Sequence, residues 1–177
     1  MRAGERLARI LRILERHGPV NLGDDSRGGV FTGFSVQELV EGAHDRSYMA
    51  AVFGSRRQLE GALKELKEAD LGISIVVSGE LSEVFAAAEA VGLRPHTVHL
   101  SLGVWGKREL LPDDEVLEIA SMCGHGMISC RHVEEVRDKV RAGKMSPEDA
   151  ARALARACTC GIFNPERAAR VLERRRD

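Results

Sequence analysis

The chain has 177 residues, 44% hydrophobic and 30% charged, with a formal net charge of −1. These values fit one globular domain or two small ones, and they supply no global basic field for non-specific nucleic-acid binding. Aromatics are only 4%, so an aliphatic core is expected and stacking platforms for single-stranded nucleic acid are not.

Residues 3–17 read as an amphipathic helix. Leu7, Ile10, Leu11 and Leu14 share a face, and Gly18-Pro19 stops it. Within 19–46, Gly23-Asp24-Asp25-Ser26-Arg27-Gly28-Gly29 could bind a cation or a phosphate, but its composition is first that of an ordinary surface turn. Val30-Phe31-Thr32 suggests a short strand, and Ser35 with Glu38 forms a capping-box signature for a short helix.

From residue 47 to 111 the expectation is an α/β or α+β layer with parallel pairing. Strands are expected at 48–53, 73–77 and 96–105. Between them lie a helix opened by Ser55 and a second from Glu80 to Val91, capped by Ser78. The last strand alternates Val98, Leu100, Leu102 and Val104 against His99, Ser101 and Trp105. A ligand pocket on this layer is a candidate, formed by His99 and Ser101 on the strand face and Ser78-Gly79 at a strand-to-helix turn. Helix N-termini at such turns attract anions. The bland alternative is a polar outer strand face.

Residues 112–177 read as an all-helical subdomain. Pro112 and acids Asp113, Asp114 and Glu115 mark a helix start. Further helices follow around Val133, Val136 and Val140, after Ser146-Pro147, and after Asn164-Pro165. Arg174-Arg175-Arg176 reads as a solvated helix end.

All four cysteines fall in this last third: Cys123 and Cys130 in Cys-x6-Cys, then Cys158 and Cys160 in Cys-x-Cys. No secretory core or membrane span is expected, which points to the cytoplasm, where thiols stay reduced. Two close pairs separated by helices can supply four thiolates to one centre. The leading expectation is a [4Fe–4S] cluster for electron transfer, redox sensing or structural support. Structural zinc in a binding or assembly protein comes next, then a thiol switch. Gly124 and Gly161 allow close backbone approach, and Met127, Ile128, Ile162 and Phe163 can cover a cluster with apolar surface.

His125, between glycines inside the first pair, is a further candidate ligand. The six-residue gap is similar to the first gap of the helix-borne cluster in the endonuclease III family. The Cys-x-Cys half is similar to one half of a redox chaperone's zinc switch. Neither family's remaining pattern is present, so no residue role is carried over. A small-molecule enzyme with a structural metal is the third class of function. A redox or assembly protein partner fits these readings; nucleic acid and membrane do not.

Overall fold

The amphipathic N-terminal stretch folds as helix α1 (Ala3–Arg16), with Leu7, Ile10, Leu11 and Ile13 buried. It is described in a computed structural model covering residues 2–174. Most of the C-terminal arginine run lies outside those residues. Gly18 (φ +62°) turns the chain after α1 into a three-stranded antiparallel sheet.

The sheet comprises β1 (Asn21–Asp24), β2 (Gly28–Gly29) and β3 (Met49–Val52), in the order β2-β1-β3. Register pairs Gly23 with Gly29, and Asn21 through Asp24 with Val52 through Met49. Only β3 matches an expected strand. Residues 23–24 and 28–29, read as a turn from their Gly and Asp content, form strands, with Asn21 and Leu22, because the neighbouring chain supplies their hydrogen bonds. Pairing outweighs weak local propensity here. Val30–Thr32, expected as a strand, is a single 3-10 turn. A short helix α2 (Val36–Glu41) follows, opened by the Ser35–Glu38 capping box. Leu39 and Val40 join Leu11 and Leu22 in the N-terminal core.

Helix α3 (Arg56–Ala69) begins at its expected cap, Ser55, and packs on α1 and on helix α4 (Leu81–Ala90). Glu80, not Ser78, caps α4, its carboxylate accepting from Glu83 N–H. The strands expected at 73–77 and 96–105 do not form; both segments lack strand pairing, and most of their residues are exposed. Parallel strands need neighbours on a shared sheet, and the observed sheet is built from other segments. Pro95 cannot donate to a ladder, and Gly103 (φ +103°) breaks the extended run. The parallel α/β layer is therefore replaced by a helix-rich α+β arrangement.

Four short helices make the C-terminal part: α5 (Asp114–Ala120), α6 (Cys130–Arg141), α7 (Pro147–Ala155) and α8 (Pro165–Glu173). Asp113, Ser129, Ser146 and Asn164 each accept a first-turn N–H. Prolines follow the cap in α7 and α8; before α5, Pro112 stands outside the helix. Val116, Ile119, Val133, Val136, Leu154, Phe163 and Val171 fill the centre. Ion pairs Arg137–Asp113 (2.6 Å) and Arg141–Glu115 (2.7 Å) join α6 to the start of α5. No described helix is long and apolar enough to cross a membrane.

Candidate metal centre

All four cysteines belong to or pack against this helical core, and Cys160 lies where it meets the β1–β2 hairpin. Cys123, Cys158 and Cys160 are buried, and Cys130 is half-buried against the same core. Cys123 ends a turn beyond α5, its N–H donating to Ala120 O (3.3 Å). Cys130 is the first residue of α6 rather than a residue before it. Cys158 N–H donates to Ala155 O (3.0 Å) just past α7. Cys160 opens the loop that leads to α8.

Cys158 Sγ and Cys160 Sγ are 3.7 Å apart. A disulfide would need about 2.05 Å. As thiols, one can donate to the other. As thiolates, the spacing matches two ligands of one tetrahedral ion, because metal–sulfur bonds of about 2.3 Å place such sulfurs about 3.8 Å apart. Burial pushes the Cys158 thiol up to about 12, and the nearby Cys160 and Cys123 sulfurs add to that rise. The Phe163 backbone opposes it. Without a cation this thiol keeps its proton at neutral pH. A bound cation would supply the charge that stabilises the thiolate.

The loop carrying Cys160 is fixed by backbone-to-backbone packing. A Cβ on Gly161 (φ +78°) would lie 2.5 Å from Gly23 N, and one on Gly23 would lie 2.7 Å from Cys160 O. Glycine is thus required on both sides of the contact. Asn21, itself buried, donates from Nδ2 to Phe163 O (2.8 Å) and pins the far end of the same loop. The hairpin read as an ordinary surface turn is therefore a wall of the cysteine site.

At its tip, Asp24 is fully buried, with Oδ1 accepting from Ser26 N (2.9 Å) and Ser26 Oγ (2.6 Å). Burial pushes this carboxyl up. The Ser26 hydrogen bonds, with contributions from Ser47 and Tyr48, outweigh burial and hold it below the ordinary carboxylate range. Asp25 N–H donates to Tyr48 O (2.9 Å), and the Asp25 side chain is exposed.

His125 occupies a tight turn in which Gly126 (φ +67°) donates its N–H to Cys123 O (3.0 Å). Its Nε2 lies 3.8 Å from Asp25 Oδ1. Asp25, His125 and Cys160 bring donor atoms within 4.8 Å of one another, the one such set of three among the described residues. His125 was legible in the sequence through its position between the cysteines. Asp25 was a candidate only as part of a separate cation-binding loop; its place beside the cysteines was not legible, since it lies 135 residues before Cys160 and no local pattern links the two. Of the expected apolar cover, Ile128 and Phe163 are buried, whereas Met127 (57%) and Ile162 (39%) are exposed.

The candidate strand-face residues stand elsewhere. Ser78, Gly79, His99 and Ser101 are all exposed, on segments without strand pairing. Two surface clefts are lined by other residues. One lies along Arg2, Gly4 and 43–46; the second lies between Val30–Gly33 and Arg152 and Arg156 of the α7 end. No family model, curated protein or solved structure matches this chain.

Proposed function

We propose that the protein is a metalloprotein whose ion is seated between the β1–β2 hairpin and the C-terminal helices, with Cys158 and Cys160 as two ligands. The observation that carries this reading is the 3.7 Å separation of the two buried sulfurs. In a [4Fe–4S] cube each thiolate binds a different iron, which spreads the sulfurs well beyond that distance. A single zinc-like ion accommodates both on adjacent tetrahedral positions. The remaining ligands come from groups around Cys160 and the 123–130 loop.

The ion would join two halves of the chain, stabilising their junction, and would serve either a binding or a chemical role there. A reduced, cytoplasmic setting suits free thiols in this role. A cluster held by Cys123, Cys130, Cys158 and Cys160 is the second reading, favoured by the location of all four in one core.

Elemental analysis of protein purified without air separates the two. One zinc per chain in colourless protein is the expected result. Brown protein with iron and acid-labile sulfide would replace it with the cluster. Cys158→Ser is expected to remove the metal in either case, and a variant that keeps full metal content would overturn the assignment of Cys158.

A further inference from the structure

Cys160 links two pairs of donor atoms at the hairpin junction. Cys158 Sγ and Cys160 Sγ form the buried pair, 3.7 Å apart. His125 Nε2 and Asp25 Oδ1 form the outer pair, 3.8 Å apart, with side chains 55% and 44% exposed. That second distance is too long for a hydrogen bond. Metal–nitrogen and metal–oxygen bonds of about 2.0–2.1 Å would place two tetrahedral ligands about 3.4 Å apart, so a small closure brings both onto one ion. Cys160 joins the two pairs, since its sulfur lies within 4.8 Å of the histidine and carboxylate donors; Cys158 Sγ stands outside that set, so binding of one ion draws it closer to them.

We propose that Asp25 and His125 complete the coordination of the ion held by Cys158 and Cys160, forming a mixed two-sulfur, one-nitrogen, one-oxygen zinc site open to solvent on its carboxylate side. This rests on the metalloprotein reading above and goes beyond it in naming the remaining ligands and the accessible face. Structural zinc sites are closed by four strong ligands, whereas sites that bind substrates keep an exchangeable position. Here the thiolates close one side. An exposed carboxylate closes the other, and it is the ligand that water or a small anion displaces. Small oxygen-donor or anionic molecules are therefore the class of ligand the site takes. Cys123 and Cys130 then serve the helical core rather than the ion.

X-ray absorption at the zinc edge of the full-length, zinc-loaded chain tests the ligand set. Two sulfur and two nitrogen or oxygen neighbours are expected. Four sulfurs would overturn the proposal while leaving a cysteine-bound ion intact; absence of bound zinc would overturn the metalloprotein reading as well. Because Asp25 and His125 are exposed, Asp25→Ala and His125→Ala are expected to fold, with circular dichroism as the check. Each should weaken zinc binding by more than the roughly 10–100-fold that loss of an outer-shell partner can cause.

Cys123→Ser and Cys130→Ser should keep one zinc per chain. Loss of zinc in either, with the fold retained, would count against the mixed site. For the open face, the cobalt-substituted protein is titrated with azide. A shift of its visible bands is expected in the wild type; an unchanged spectrum would show a closed structural site and refute the exchangeable position.

Discussion

The C-terminal helices and the stretch from residue 71 to 111 were both expected to be regular structure, and only the former is, apart from α4. The difference lies in what each segment needs. Helices α5 to α8 satisfy their backbone internally and carry side-chain caps at Asp113, Ser129, Ser146 and Asn164. Their apolar stripes then meet one another around Phe163. The 73–77 and 96–105 segments carry strand-like alternation, but a strand must borrow hydrogen bonds from a neighbour. No described strand is adjacent to them, and Val76 (73%), Leu102 (86%) and Trp105 (81%) stand in solvent. Period-2 alternation thus describes a capacity for pairing, not pairing itself.

The contrast can be broken or sharpened by substitution. The largest effect is expected for Phe163→Ala. This side chain is fully buried where the cysteine loop meets the helices, and its loss should cost about 3–5 kcal/mol in urea unfolding. Gly161→Ala comes next. Its left-handed backbone alone costs about 1–2 kcal/mol for a non-glycine residue, and overlap with Gly23 N adds to that. Loss of metal content should accompany it, because the same movement displaces Cys160.

A pH effect of smaller size follows from Cys158. Its thiol is pushed up to about 12 in the folded chain, against 9.0 for the ordinary value. A raised folded pKa contributes stability that is fully present below the unfolded value and is lost as pH rises toward the folded one. Metal-free protein should therefore lose stability between about pH 9 and 12. Comparing unfolding midpoints with those of Cys158→Ala isolates that share, and an identical pH dependence in both proteins would contradict it. The smallest effect is expected for Leu102→Ser in the exposed stretch, within about 0.5 kcal/mol of wild type. A large loss there would mean that the segment packs in solution.

Much of the helical part was legible because caps and prolines sit at fixed offsets from apolar stripes. Ser35, Ser55, Ser146 and Asn164 all cap the helices expected of them. The candidate metal centre was half legible. Cys158 and Cys160 are two residues apart, so a short loop alone brings their sulfurs together. Asp25 came to the cysteines only through the hairpin, whose strands contain glycine and aspartate and carry little local signal.

By itself the sequence determined the amphipathic first helix, the four capped helices at the end, and a thiol pair able to share an ion. Each depends on interactions within a few residues. Tertiary structure alone decided which segments became strands and what faces the cysteines. Strand pairing is a property of two segments, and the Gly23–Gly161 contact joins parts of the chain that no local rule connects.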